Sequence, residues 1–224
     1  MKHPHITTIN KKVMKKRIFP HLFRFWLLPV LSLPAISLVS PIPILRAQFL
    51  TLPVNLTYLS QRADVIVQGS VLRVRYENHP EFTNIPTVEV TLEVENMLRG
   101  PSGPTYTFRE ALIGVKSRNV KQGYKIGQRL MLFLPFPSRY GFSSPVGIEQ
   151  GRFHITRLPA TGEETIANEI GNAGLFKDVE STAFLAGIRL SEKQTRLAAT
   201  RQGPVPLAEF SALVKTLTAL PRIH

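Results

Sequence analysis

Residues 88–95 alternate between apolar and polar side chains, and this pattern restricts the fold more than any other part of the chain. Successive side chains on a β-strand point to opposite faces of the sheet, so strict alternation separates two faces. The apolar face carries Val88, Val90, Leu92 and Val94, and the polar face carries Glu89, Thr91, Glu93 and Glu95. Such a strand is typical of an antiparallel sheet that contacts water on one side.

The preceding segment, residues 65–76, predicts a long strand whose alternation changes phase. Its early apolar residues have odd numbers and its late ones have even numbers, namely Val65 and Val67, then Leu72, Val74 and Tyr76. A strand changes parity only where a residue is inserted, so we expect a bulge at Gly69-Ser70. The glutamates of the next strand would then lie opposite Arg73 and Arg75, a pairing that contributes about 0.2–1 kcal/mol per pair.

Further elements follow from the same reasoning. We expect a short helix at 55–63 capped by Asn55, strands at 105–112, 130–134 and 151–156, an irregular segment at 162–178, and an amphipathic helix at 206–220. Residues 130–134 are apolar throughout, which indicates a strand covered on both faces. The predicted fold is mainly β: a small five-stranded OB-like barrel with a short N-terminal helix and a C-terminal amphipathic helix. An open sandwich is the alternative.

The N-terminus has the layout of a secretory signal. A basic stretch, Lys11–Arg24, precedes the uncharged stretch Phe25–Leu45, and Ala47 ends a predicted cleavage site. We therefore expect a signal peptide at 1–47, an OB-like barrel domain at 48–160, and an irregular segment with a helix packed on the barrel at 161–224. The alternative is a membrane anchor at 25–45 with the domain outside, although the prolines in that stretch disfavour a regular helix.

Charge and cysteine content narrow the function classes. The net charge is +13, but residues 1–47 hold eight cations and no acid, and subtracting eight leaves +5 for the rest. A domain of that charge does not indicate a nucleic-acid partner. The absence of cysteine excludes disulfides, thiolate catalysis and cysteine-ligated zinc.

Several short motifs occur in a familiar order. They are Ala63-Asp-Val-Ile-Val-Gln-Gly-Ser-Val71, Val88-x-Val-x-Leu-x-Val94 with Leu98-Arg-Gly100, Gly127-Gln-Arg-Leu-Met-Leu-Phe-Leu134, and Gln150-Gly-Arg-Phe153. Together they resemble a loose group of exported bacterial proteins with no assigned activity, over about residues 55–175. The layout is also distantly similar to netrin-like domains, the OB-type barrels of metalloproteinase inhibitors. Those inhibitors bind zinc through an N-terminal cysteine that this chain lacks, so the resemblance implies a fold only.

The sequence offers no catalytic or metal-binding motif. It contains no nucleophile elbow, no Ser-x-x-Lys and no phosphate-binding glycine loop. His79 and His154 are expected to be ordinary surface residues, with Arg152, His154 and Thr156 facing outward on their strand. The glutamates of residues 88–95 could hold a cation but are better explained as a solvated face opposite arginines. We expect no cofactor, no metal and no catalytic residue.

The candidate binding site is the connection between the third and fourth predicted strands. It is rich in cations, contains no acid and lies near two aromatic residues, the candidates being Lys116, Arg118, Lys121, Tyr124, Lys125, Arg129 and Tyr140. Such a segment can hold a polyanion or a sugar chain through charge and stacking. The alternative interpretation is a solvated basic loop that balances the acidic strand.

These observations favour an exported, periplasmic or secreted, non-catalytic binding module. The expected partner is an anionic polymer or glycan of the cell envelope, or a partner protein. Two alternatives remain: an extracellular protease inhibitor without the zinc-chelating cysteine, and an enzyme whose site is not visible in the sequence.

Overall fold

The structure, a computed structural model, describes residues 52–112 and 123–222. The predicted signal peptide and its cleavage site lie outside the described residues. In chain order the elements are α1 (Leu56–Arg62), β1 (Val65–Asn78), β2 (Pro86–Arg99), β3 (Thr105–Ala111), β4 (Arg129–Leu134), β5 (Arg152–Arg157), β6 (Glu164–Asn168), α2 (Val179–Leu185), α3 (Glu192–Ala198), β7 (Val205–Pro206) and α4 (Leu207–Leu217).

These strands form one antiparallel sheet in the order β3-β2-β1-β4-β5-β6-β7. The mainly β class is confirmed, but the five-stranded barrel is wrong, because across residues 52–112 and 123–222 the sheet is open. The physical reason lies in β6, within the segment predicted to be irregular. It pairs with β5 from Phe153↔Asn168 to Arg157↔Glu164, so it occupies the strand edge that closure would require.

The phase change in β1 is confirmed, although the inserted residue differs from the predicted one. The register between β1 and β2 shifts at Gln68/Gly69, as expected, and shifts again around Leu72. Leu72 has no Cα partner in β2 and is 53% exposed, so it is an inserted residue and not part of the face that it was predicted to share with Val74 and Tyr76. Gly69 allows the strands to approach, because a Cβ there would lie 2.2 Å from the carbonyl oxygen of Glu93.

The sheet is covered on both faces near β4, as the apolar run predicts. Leu130, Leu132 and Leu134 pack with β1, β2 and β3 on one face, which we call the opposite face. Met131 and Phe133 pack against the helices on the other, which we call the helix-covered face. The five predicted stripe residues of α4 are all buried there: Leu207, Phe210, Leu213, Val214 and Leu217.

Arg99, at the end of β2, ties the sheet to two helix ends. Its guanidinium donates to the carbonyl oxygens of Ser60, Ala63 (2.8 Å) and Thr218 (2.7 Å). These carbonyls close α1 and α4, where a cation complements the helix dipole. At the start of α1, the Asn55 side chain accepts a hydrogen bond from the Tyr58 amide, which confirms the predicted cap.

His79 is a structural residue and not the surface residue expected. It is 4% exposed, and its Nδ1 accepts hydrogen bonds from the amides of Glu81 and Phe82 at 3.1 Å each. Nε2 therefore carries the proton and donates to the carbonyl of Tyr140 at 2.9 Å. The ring also packs against Phe82 and Phe142, so it joins the β1–β2 loop to the β4–β5 loop.

Among the helices of the described ranges, none is both long and apolar enough to cross a bilayer.

Candidate functional site

A group of polar side chains lies on the opposite face of the sheet, next to the predicted basic connection. The cross-strand pairs Leu132↔Arg152 and Leu130↔His154 place both β5 residues on this face. We call this group the polar cluster. Its members are Glu110 of β3, Tyr124 of the segment before β4, Glu149 of the loop before β5, Arg152 and His154 of β5, and Glu169 directly after β6.

At the centre of the polar cluster, Tyr124 lies between a carboxylate and a guanidinium. Its hydroxyl donates to Glu110 Oε2 at 2.9 Å, and both residues are buried. The Arg152 guanidinium carbon lies 5.0 Å from the Tyr124 ring centroid, a cation–π contact. The same ring packs edge-on against Phe108 at 5.6 Å. Tyr124 therefore anchors the segment leading to β4 into the apolar core.

Arg152 connects this centre to the edge of the cluster. Its Nη2 lies 2.9 Å from a carboxylate oxygen of Glu149 and 3.0 Å from one of Glu169. Arg152 is 6% exposed, so the predicted outward position is wrong. A charge buried to this degree needs ionic partners to offset its desolvation, and the two glutamates provide them.

His154 extends the network back to the basic connection. Its Nε2 lies 2.6 Å from Glu169 Oε1, and its Nδ1 lies 2.8 Å from the side-chain nitrogen of Gln128. The Gln128 side-chain oxygen accepts from the Lys125 amide at 3.2 Å. The polar cluster therefore fixes the backbone at Lys125 as well as the side chain of Tyr124.

Two residues of the cluster, Tyr124 and Glu169, have shifted pKa values. Burial raises the pKa of the Tyr124 hydroxyl well above its usual range, and the Glu110 charge raises it further. The hydrogen bond from His154, together with the positive charge and hydrogen bond of Arg152, lowers the pKa of Glu169 to about 2, although burial acts in the opposite direction. Tyr124 is therefore a protonated donor, and Glu169 is an ionised acceptor.

This arrangement suits positioning better than proton transfer. Both ring nitrogens of His154 are engaged with protein side chains, so neither faces a substrate as a general base must. Over residues 52–112 and 123–222, no three His, Asp or Glu side chains are grouped to hold a metal ion.

The predicted site residues differ in burial and in the partners that they contact, and three of them lie outside the described residues. Lys116, Arg118 and Lys121 lie outside the described residues. Tyr124 is 6% exposed and turns its ring into the core, whereas Lys125, one residue later, is exposed. Arg129 at the start of β4 forms ion pairs with Glu95 of β2, at 2.6 Å, and with Glu164 of β6.

Tyr140 belongs to a separate aromatic group. It lies in the β4–β5 loop with 42% of its surface exposed. Its ring packs edge-on against Phe82 at 5.3 Å, and the Arg139 guanidinium carbon lies 4.5 Å from its centroid. Its neighbours are thus the β1–β2 loop rather than Tyr124.

The sequence contained a signal for Arg152 that pattern reading missed. Because β4 is apolar on both faces, any strand paired with it has both faces covered near the pairing. Arg152 pairs with Leu132, so its position was buried by the partner strand even though alternation with Phe153 suggested an outward residue.

Two glutamates of β2, Glu89 and Glu95, form ion pairs with arginines of the sheet. Glu89 contacts Arg109 at 2.6 Å, Arg75 at 3.5 Å and Arg73 at 3.8 Å, which confirms the predicted pairing across the hairpin. Glu95 receives hydrogen bonds from Arg129 that lower its pKa to about 2.

Comparison with the models of known protein families, with curated proteins and with solved structures gives no match for this chain. The resemblance to exported bacterial proteins stays a prediction. The geometry of the polar cluster and of the segment that it anchors is therefore the basis for assigning a function.

Proposed function

We propose that this chain is an exported, non-catalytic binding domain that holds an anionic polymer of the cell envelope through its basic connection, residues 116–129. The connection carries four cations before β4 and no acid, the cations being Lys116, Arg118, Lys121 and Lys125. A local excess of one charge attracts polyions of the opposite sign over about a Debye length, which is about 10 Å at 0.1 M salt.

One observation carries the proposal: arginines within the strands β1, β3 and β4 already pair with Glu89 and Glu95 of the acidic strand. Glu89 is satisfied by Arg73, Arg75 and Arg109. Glu95 pairs with Arg129, which is the last residue of the connection and the first of β4, so the proposal rests on the four cations before it. These carboxylates do not require the lysines of the connection for charge balance, which favours an external anion over the alternative of a loop that balances the strand.

The polar cluster supports the same proposal because it holds one end of the basic connection in place. The Tyr124–Glu110 hydrogen bond and the Lys125–Gln128 hydrogen bond hold the C-terminal end of the connection in place. A segment whose end is already fixed has less conformational entropy to lose when it binds, so preorganisation strengthens association.

The test is binding of fluorescent dextran sulfate, with neutral dextran as the comparison polymer. Affinities are measured at about 0.01 M and about 1 M salt, where the Debye lengths are about 30 Å and about 3 Å. The test variant replaces Lys116, Arg118, Lys121 and Lys125 with Ala. A matched control removes four exposed cations of the helical region instead: Lys177, Lys193, Arg201 and Lys215.

We expect the protein to bind dextran sulfate at low salt and to lose it at high salt. Four ionic contacts at about 0.2–1 kcal/mol each sum to about 0.8–4 kcal/mol, which predicts a loss of about fourfold or more in the test variant. The control variant should stay within about twofold, since the net charge changes equally in both. Equal losses in the two variants, or unchanged binding in the test variant, would remove the basic connection as the site.

A further inference from the structure

Three hydrogen bonds link the edge of the polar cluster to the C-terminal end of the basic connection. His154 Nε2 lies 2.6 Å from Glu169 Oε1, and His154 Nδ1 lies 2.8 Å from Gln128 Nε2. The oxygen of the same Gln128 side chain accepts from the Lys125 backbone amide at 3.2 Å. We call these three bonds the Gln128 network. Because they share side chains, the donor in one bond decides the donor in the next.

The Gln128 network is fully satisfied when the His154 ring carries one proton. The ionised Glu169 carboxylate can only accept, so the ring proton lies on Nε2 and Nδ1 is an acceptor. The Gln128 nitrogen then donates to Nδ1, and the Gln128 oxygen is left to accept from Lys125. Each of the three bonds therefore joins one donor to one acceptor.

A second proton on His154 makes the network impossible to satisfy. Both nitrogens of a charged imidazole are donors, so Nδ1 would meet the Gln128 nitrogen, another donor, at 2.8 Å. Gln128 can turn its amide and present its oxygen to Nδ1. Its nitrogen then lies opposite the Lys125 amide, which is also a donor, and that hydrogen bond is lost. The charged ring and the Lys125 amide therefore compete for one acceptor oxygen.

The surroundings of His154 leave the ring as the group that gains a proton in mildly acidic solution. In the part of the chain that the structure describes, the ionisable groups of the polar cluster and the Gln128 network, besides the ring itself, are Glu169, Arg152, Glu149, Glu110, Tyr124 and Lys125. The pKa of Glu169 is lowered to about 2, so Nε2 keeps an ionised acceptor. Histidine is the side chain that ordinarily changes charge between about pH 5 and about pH 8. The His154 side chain is 31% exposed, so protons reach it from solvent.

Backbone hydrogen bonds hold the turn after Lys125 independently of His154. The Gly127 amide donates to the Val71 carbonyl at 2.8 Å, and the Val71 amide donates to the Gln128 carbonyl at 2.8 Å. The Gln128 amide donates to the Lys125 carbonyl at 3.0 Å. These bonds use no titratable side chain. A second proton on His154 therefore acts at the Lys125 amide and leaves the turn attached to β1.

We propose that His154 is a pH-dependent switch at the end of the basic connection: the ring with one proton fixes the Lys125 amide through Gln128, and the ring with two protons releases it. As a regulation of the binding segment, this inference rests on the proposed function. The switch itself is a property of the free protein and is tested without polymer. A chain that fails to bind dextran sulfate can still show the switch, and a chain without the switch can still bind dextran sulfate, so the two failures are distinguishable.

The test is NMR spectroscopy of the ¹⁵N-labelled full chain at about pH 8 and about pH 5, the range in which histidines titrate. The ring nitrogen resonances of His154 report how many protons the ring carries. The ratio of the intrinsic exchange rate of an amide to its observed rate at the same pH gives its protection. The Gly127 amide, which is bonded to Val71, is the internal control for Lys125.

Two variants separate the switch from a general effect of acid. His154→Gln cannot gain a proton in this range. Gln128→Glu supplies two carboxylate oxygens, which can accept from a charged His154 ring and from the Lys125 amide together. Both variants keep His79, so that histidine cannot account for a difference between them and the parent protein.

We expect the His154 ring of the parent protein to gain its second proton within this range. The protection of the Lys125 amide should then fall by about two- to tenfold, which corresponds to the loss of one net hydrogen bond. The protection of Gly127 should stay constant. Each variant should keep the Lys125 protection constant between the two pH values.

Four results would overturn the proposal. One is a His154 ring that keeps a single proton at about pH 5. Another is a second proton on the ring with unchanged protection of Lys125. The third is an equal loss of protection at Gly127, which would mean that acid loosens the whole turn. The last is a loss at Lys125 that persists in His154→Gln, which would assign the effect to another group.

Discussion

Replacing Tyr124 with Phe tests whether the polar cluster holds the end of the basic connection. The change removes one oxygen atom that donates to Glu110 at 2.9 Å. It keeps the ring, which packs against Phe108 at 5.6 Å and against Arg152 at 5.0 Å. Any decrease in the free energy of unfolding therefore reports on the hydrogen bond, because the aromatic packing is left in place.

The magnitude follows from burial. Tyr124 is 6% exposed and Glu110 is 3% exposed, so water cannot easily replace the missing donor. Hydrogen bonds to charged groups contribute about 1.5–3 kcal/mol, and we expect the free energy of unfolding to fall by that amount. Tyr124→Ala also removes the ring and leaves a cavity, so its cost should reach about 3–5 kcal/mol.

The assay is urea unfolding followed by circular dichroism, with Tyr140→Phe as the control. Tyr140 is 42% exposed, so its variant should change the free energy of unfolding by less than about 0.5 kcal/mol. Glu110→Gln and the double variant complete a cycle that isolates the pairwise energy. The denaturant slope should stay constant, because the same surface is exposed on unfolding.

A coupling energy near zero, together with a Tyr124→Phe cost below about 0.5 kcal/mol, would refute the reasoning. The hydroxyl would then be a passive neighbour of Glu110, and the basic connection would be positioned by other contacts. A large cost for Tyr124→Phe with no coupling to Glu110 would equally contradict it, since the missing energy would belong to another acceptor.

Two further predictions concern the sheet. Gly69→Ala should lower the free energy of unfolding, measured by urea unfolding, by about 1–3 kcal/mol, because its Cβ would lie 2.2 Å from the Glu93 carbonyl oxygen. Gly103→Ala is the control, since the nearest atom to its Cβ would lie at 3.5 Å. Equal effects of the two substitutions would contradict the clash at Gly69. The pKa of Glu95 is lowered from 4.5 to about 2, so its stabilising effect is complete above about pH 4.5 and is lost as the pH falls toward 2. Melting temperatures measured against pH should therefore show that Glu95→Gln lowers stability at neutral pH and reduces the loss of stability on acidification. The same loss of stability with falling pH in Glu95→Gln and in the parent protein would count against the prediction.

The strands with strong alternation were predictable because each depends on a local pattern. The alternation in residues 88–95 predicted β2, and the phase change in residues 65–76 predicted an interruption of β1. The position of the inserted residue was not predictable in the same way. It depends on which residue of β1 lacks a partner in β2, and that is Leu72 rather than Gly69 or Ser70.

The sheet closure was mispredicted because β6 has little local signal. Glu164–Asn168 contains only two apolar residues among polar ones, and its stability comes from pairing with β5 and packing Ile166 into the core. A short polar segment that becomes a strand through its neighbours cannot be recognised from alternation alone.

Some features of the candidate site could also be predicted from the sequence, and others could not. The excess of lysines and arginines in residues 116–129, and the aromatic residue at 124, can be read directly from the sequence. The inward turn of Tyr124 and the ionic partners of Arg152 could not, because each depends on residues more than a dozen positions away.

What the sequence by itself determined is therefore the set of local tendencies: the amphipathic α4, the two-sided strand β4, the capped α1 and the charge of the connection. Only the tertiary structure decided how charges are distributed among partners. It assigns Arg129 to Glu95 and Glu164, and Arg152 to Glu149 and Glu169. The physical reason is that alternation and capping act over a few residues, whereas ion pairs and buried hydrogen bonds form between strands that the chain brings together only when it folds.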